Sequence, residues 1–237
     1  NQRKRHEWSF QLSDSSERSV LSGIYHGTLN AASYEAFNVY ASFKPENAST
    51  LYGYVLHYPA EINPDSLEVL KANYYDTYDY KEHLSVFNAS LEYVEDENYG
   101  KQYTDITNLH CKGLLTGSMT RTLESGEELH GCYYYDYNRN LIQSRQTTLN
   151  GITLVDKSSF NFSGNPTATC EKYGNDITLC KAYTYDHAGR LTCENHVCEN
   201  DTTAFLYSFD EIGRMKSLTR INGKDSLTTI NSYNIRD

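Results

Sequence analysis

Three groupings of side chains in this 237-residue sequence carry the residue types that metal, acid–base or ligand chemistry requires. Histidine and cysteine approach one another at His110-Cys111, at His130-x-Cys132 and at Cys193-x-x-His196-x-Cys198. A structural zinc calls for paired ligands, Cys-x₂₋₄-Cys or His-x₃₋₅-His, that converge on four donors. None of the three supplies that set, so no metal or cofactor ligand is assigned. Carboxylates are plentiful, but Asp136, Asp186 and Asp210 each follow an aromatic strand pattern. That placement suits a turn better than an acid–base pair. With no G-x-S-x-G elbow, no H-E-x-x-H and no P-loop, no catalytic residue is assigned and the reading is non-enzymatic. The third grouping is Tyr74-Tyr-Asp-Thr-Tyr-Asp-Tyr80, the densest aromatic run. Tyr74, Tyr75, Tyr78 and Tyr80, flanked by aspartates, are the rings that would stack against a sugar in a carbohydrate- or surface-binding module. The opposing reading packs them into a sheet core, and their i, i+2 spacing favours it.

The elements that must position these groups announce themselves by recurrence. Tyr183-Thr-Tyr-Asp-His-Ala-Gly-Arg-Leu191 is followed by Tyr207-Ser-Phe-Asp-Glu-Ile-Gly-Arg-Met215 and preceded by Phe160-Asn-Phe-Ser-Gly-Asn-Pro-Thr-Ala168 and Tyr133-Tyr-Tyr-Asp-Tyr-Asn-Arg-Asn-Leu141. Counted from the second aromatic, the anchors are Tyr135, Phe162, Tyr185, Phe209 and Tyr233, at spacings of 27, 23, 24 and 24 residues. A fixed period of this length marks a repeat architecture.

Each copy has a physical layout. Residues two apart in an extended strand face the same way, so each unit presents paired rings on one face. Asp136, Asp186 and Asp210 then stand where a carboxylate accepts backbone N–H groups and starts a turn. Gly189 and Gly213 follow where positive φ reverses the chain. Leu191 and Met215 resume the apolar face, and Arg190 and Arg214 are placed to meet the turn aspartates or neighbouring rings. One such hairpin cannot bury its aromatic face alone, so units stack. The expected fold is all-β, built of antiparallel hairpin repeats.

Asp-x-x-Gly-Arg-Leu after Tyr-x-Tyr or Tyr-x-Phe, at a period in the low twenties, resembles the RHS/YD-repeat family of large bacterial secreted or surface proteins. Asp186, Gly189, Arg190 and Leu191 match that motif in full; Asp210, Gly213 and Arg214 match with Met215 for Leu. Asp136 matches, with Arg139 and Asn140 where Gly and Arg are expected, and the Phe162 copy keeps little besides its spacing. Lys112 to Gly117 and the Tyr74–Tyr80 run resemble segments ahead of the repeats in one subgroup. The resemblance implies a curved, spiralling sheet that forms part of a shell. Such a shell can enclose a C-terminal toxin or effector, or act at the cell surface. It also implies a secreted or surface location and, as partner, the remainder of a parent polypeptide. The family's self-cleaving aspartate motif has no match here.

Composition sets the bounds. A formal charge of −10 and a pI near 5.3 argue against nucleic acid, and the short Arg3-Lys4-Arg5 run does not change that. No apolar run reaches the ~20 residues of a membrane span. The absence of an initiator Met and the half-finished unit at Tyr233 read as an internal fragment, whose open strand edges would pair with a second copy. Two regions are expected: 1–110, β-rich with one degenerate repeat carrying Asp14, Glu17 at the Gly position and Arg18, and 111–237, the repeat sheet. Within the first, strands are expected at Ala36–Phe43 and Leu51–Tyr58, and a solvated loop at 81–110. A helical turn and a strand opening both remain open at Pro64-Asp65-Ser66. Six cysteines allow fifteen full pairings. Cys180 with Cys193 across the Asp186 turn is the first expectation if any bridge forms. Asn-x-Ser/Thr sequons at Asn47, Asn88, Asn161 and Asn200 are read as chance.

Overall fold

The computed structural model describes residues 7–28, 40–47, 50–58, 62–104, 111–174 and 177–234. The Arg3–Arg5 run, Ala36–Val39 and His110 lie outside them. The described strands are β1 (Glu7–Ser13), β2 (Ser19–His26), β3 (Tyr40–Phe43), β4 (Tyr54–His57), β5 (Leu67–Tyr75), β6 (Leu115–Arg121), β7 (Glu128–Tyr135), β8 (Leu141–Thr147), β9 (Thr153–Phe160), β10 (Pro166–Tyr173), β11 (Ile177–Tyr185), β12 (Leu191–Cys198), β13 (Asp201–Phe209), β14 (Met215–Asn222) and β15 (Asp225–Ile230). They form an open sheet in the order β15-β14-β13-β12-β11-β10-β9-β8-β7-β6-β5-β2-β1-β3-β4. From β5 to β15 spatial order is chain order, the result of one hairpin after another. The expected all-β, antiparallel fold is what the protein adopts; the parallel contact of β1 with β3 is a single pair, Ser13 with Tyr40. Helix is scarce among the described residues and includes α1 (Tyr80–His83) and 3₁₀ turns at Pro64–Ser66 and Ala89–Leu91. Pro64 to Ser66 is therefore both things the sequence left open, a turn that leads straight into β5.

Two compact units divide the chain. One comprises Asn1–Glu92, Thr104–Tyr133 and Arg145–Gly151; the other comprises Tyr93–Tyr103, Tyr134–Ser144 and Ile152–Asp237. Neither has a limit at residue 110.

The first unit has an aromatic core. Tyr54, Tyr74, Tyr80 and Phe87 are buried with Leu21, Val69, Leu91 and Met119. Tyr74 and Tyr80 stack at 4.5 Å between centroids, and Phe87 meets both edge-on at 5.5 and 4.6 Å. A buried phenol needs a partner for its hydroxyl. Tyr54 donates to Asn73 O, Tyr74 to Tyr52 O and Tyr80 to Thr116 O. Tyr80 can lie across β6 only because residue 117 is glycine, where a Cβ would stand 2.4 Å from the ring.

The second unit is a run of hairpins from β9 to β15, most of it half-buried. Register shifts beside the turns at Pro166/Ala168, Thr184/Tyr185 and Ser208/Phe209 place one extra residue in each return strand, bulges that raise local twist. Residues 93–103 cross the strands as a strap, where the sequence suggested a solvated loop. Gln143 grips the backbone of Val94 with both ends of its amide, accepting from Val94 N and donating to Val94 O. Gly100 N donates to Ser158 O, Tyr103 N to Tyr135 O and Lys157 to Asp96. Cys170 lies directly opposite Cys180 in the β10–β11 register, and these two form the disulfide. The Cys180–Cys193 pairing is thereby corrected: register sets Cys180 against Val197 and Cys193 against Thr184. Four residues of strand therefore separate the two thiols along β11.

Candidate functional site

The motif residues converge on one local device, a clasp that closes each turn. Asp186 Oδ1 accepts the N–H groups of Ala188 and Arg190, each at 2.9 Å, while Arg190 Nε donates to Asp186 Oδ2 at 2.7 Å. The backbone closes the same loop, Asp186 N to Arg190 O and Gly189 N to Asp186 O. Gly189 takes φ 78°, the left-handed region that favours glycine. Asp210 repeats the arrangement with Ile212 N, Arg214 N and Arg214 Nε. The degenerate copy at Asp14 does too, with Ser16 N, Arg18 N and Arg18 Nε, although Glu17 must adopt φ 60° in place of glycine. In the Asp136 copy Asn140 supplies both donors and Arg139 sits at φ 68°.

These contacts set the acidity of the carboxyls. Hydrogen bonds from the Arg190 backbone hold Asp186 below the usual aspartate range. For Asp210 desolvation acts upward and is outweighed by the backbone and side-chain hydrogen bonds of Arg214. Each aspartate is committed as an acceptor, which suits a turn and not proton transfer.

Each arginine also reaches forward. The Arg190 guanidinium lies 4.7 Å over the Phe209 ring, and that of Arg214 lies 4.4 Å over Tyr233. Arg18 lies 4.5 Å over Tyr75 and pairs with both oxygens of Asp76 at 2.8 and 2.7 Å. The clasp of one unit thus covers the anchor of the next, a cation–π contact of roughly 0.5–1 kcal/mol at such sites.

One anchor is reassigned. Phe162 is fully exposed, at 102%, because it stands inside a turn. Asn161 Oδ1 accepts Ser163 N and Asn165 N, and Asn161 N donates to Asn165 O, as the aspartates do elsewhere. Asn161 therefore occupies the aspartate position and Phe160 the anchor, which brings the spacings to 25, 25, 24 and 24 residues. Gly164, three residues after Asn161, is the signal in the sequence that locates it.

The rings of the sugar-stacking alternative are otherwise engaged. Tyr74 and Tyr80 are 2% and 1% exposed. Tyr75 and Tyr78 are half-buried, with their hydroxyls on Ser19 O and Tyr133 O. A cavity of 60 Å³ beside the Asp14 clasp, lined by Arg18, Phe43, Tyr54, Tyr74 and Asp76, is well short of the roughly 300 Å³ of a small-molecule site.

Of the His/Cys groupings, Cys193 faces one side of β12 and His196 and Cys198 the other, since strand neighbours alternate. His130 and Cys132 are buried, His130 against the edge of Phe87. Among the described residues no three His, Cys, Asp or Glu side chains gather as a metal site would. Burial lowers the His130 pKa against the pull of Glu128, whose Oε2 is 3.5 Å from Nε2.

No protein-family model matches the chain, and no curated protein does. Among solved structures, it superposes on a chain of the "Crystal Structure of TcdB2-TccC3-Cdc42" with a TM-score of 0.38 and 11% identity, over 94% of its own length. It spans 16% of the length of that chain.

Proposed function

We propose that this chain is a non-enzymatic structural segment of an RHS/YD-repeat protein, a length of β-sheet wall that is curved and spiralling in its parent. The observation that carries this is the clasp: the motif's charged residues close their own turn and cover the next unit's ring. A catalytic or ligand-binding motif would instead leave its polar atoms free. Tyr185 and Tyr233, whose hydroxyls donate to Pro166 O and Met215 O of the preceding unit, support the same reading. The wall encloses a C-terminal toxin or effector, or works at the cell surface, with the remainder of the parent polypeptide as partner. A secreted or surface location agrees with the Cys170–Cys180 disulfide, a bond that persists in oxidising compartments.

Limited proteolysis of the longer polypeptide tests it. A downstream domain resists cleavage while the wall is intact and becomes sensitive in the Arg190→Ala/Arg214→Ala variant. Cleavage as fast as for that domain expressed separately refutes enclosure. Saturable binding in a glycan array, lost in Tyr75→Ala and Tyr78→Ala, would replace the wall with a carbohydrate-binding module.

A further inference from the structure

The two faces of the β11–β15 sheet differ in kind. Residues directly opposite in the registers share a face, which assigns every paired position. One face carries Lys181, Glu194, Asp201, Arg220 and Asp225 among its aromatic rings. The other carries no charged residue at any paired position: it is built of Ala, Cys, Ser, Thr, Val, Leu, Ile and a single amide, Asn195. Val197 and Leu206 on this face are 41% and 40% exposed.

The same face is covered one step along the sheet. Cys180 and Lys157 belong to it, since Cys170 pairs with both, and both are met by the 93–103 strap, through the Tyr99 hydroxyl and Asp96. The strap has no regular secondary structure, and its backbone is held by the amide of Gln143. Beyond the strap, Asn195 sits between Ala182 and Ala204, whose small side chains leave a trough, with Ile221 behind. The Asn195 amide has no partner among the described residues.

We propose that this uncharged face is a docking surface for an extended, uncharged stretch of polypeptide, held by Asn195 through a backbone amide as Gln143 holds Val94. The surrounding alanines allow the backbone close, and Val197 and Leu206 take the apolar side chains that alternate along an extended peptide. This goes beyond the wall reading and does not rest on it.

The whole chain carries its own reporters. Cys193 lies on the docking face, opposite Thr184 and Leu206, and Cys198 on the charged one; both are free thiols. The probe is a fluorescent, end-blocked octapeptide of alternating serine and valine, with a glutamate–serine octapeptide as control. Expected are saturable binding in fluorescence anisotropy, several-fold slower maleimide labelling of Cys193 at saturation, and unchanged labelling of Cys198. Asn195→Ala weakens binding at least tenfold, and Val197→Lys abolishes it with the circular dichroism spectrum retained. If Val197→Lys does not fold, Asn195→Ala decides alone. Absence of saturable binding up to about 1 mM, equal affinity for the acidic peptide, or equal protection of both thiols overturns the proposal. So does protection of Cys193 that rises with protein concentration in the absence of peptide, which would mark the face as a contact between copies.

Discussion

Tyr185 and Tyr233 each donate a hydroxyl hydrogen to the carbonyl that opens the preceding unit's return strand, Pro166 O at 2.9 Å and Met215 O at 2.8 Å. Phe209 holds the equivalent position between them and has no hydroxyl, so the equivalent carbonyl, that of Leu191, lacks this donor. Phe209→Tyr should supply it. The Arg190 guanidinium covers the ring face at 4.7 Å, and a para hydroxyl leaves that contact in place. A net intramolecular hydrogen bond contributes about 0.5–1.5 kcal/mol, and the half-buried site favours the lower part, about 0.5–1 kcal/mol. At this chain length that raises the melting temperature by about 1–4 °C. Tyr185→Phe, which removes the same bond, should lower it by a similar amount. Thermal and urea unfolding followed by circular dichroism read both variants. If Phe209→Tyr is neutral or destabilising while Tyr185→Phe costs its expected amount, the two sites are not equivalent and the alignment of units is wrong.

Three further outcomes follow from the same geometry. Phe162→Ser should change stability by less than about 0.5 kcal/mol, as surface substitutions do, whereas Phe160→Ala should cost more than about 1 kcal/mol by loss of a packed ring; the reverse order in urea titrations would restore Phe162 as the anchor. Non-reducing peptide mapping should recover Cys170 linked to Cys180, and reduction should destabilise the second unit by about 2–3 kcal/mol from the entropy of the short loop; recovery of Cys180 linked to Cys193 would contradict the pairing of β10, β11 and β12. Because burial lowers the His130 pKa in the fold, the unfolded chain binds more protons below its ordinary value near 6.5. Stability is therefore complete above that pH and falls as the pH drops through it. The urea midpoint should decline as the pH falls through about 6.5, with a smaller decline in His130→Gln. The aspartate clasps, with depressed folded pKa values, lose their contribution only at lower pH, as the carboxyls titrate below about 4.

The hairpin repeat is legible in the chain because its determinants are local. A carboxylate that caps the backbone two to four residues ahead, a residue at positive φ and an arginine that folds back on the carboxylate lie within five positions of one another. Alternation then assigns the faces of each strand. The copy at Asn161 is harder to place for a related reason: aromatic spacing alone points to Phe162, which offers a ring where the backbone needs a loop, and only the turn chemistry of Asn161 and Gly164 corrects it. The disulfide follows register: Cys170 and Cys180 are equidistant from the turn between Tyr173 and Ile177, whereas Cys180 and Cys193 stand at unequal distances from the Asp186 turn, and register leaves them four residues apart along β11.

Composition and period determined that this is an all-β chain of stacked hairpins whose motif aspartates and arginines serve the turns. The partners that bury Tyr74 and Tyr80 and the crossing of the strap at 93–103 were decided only in three dimensions. Those features join residues tens of positions apart, and whether a ring or an amide ends up covered depends on which distant segment crosses it. That is a property of strand order and register, and no local window contains it.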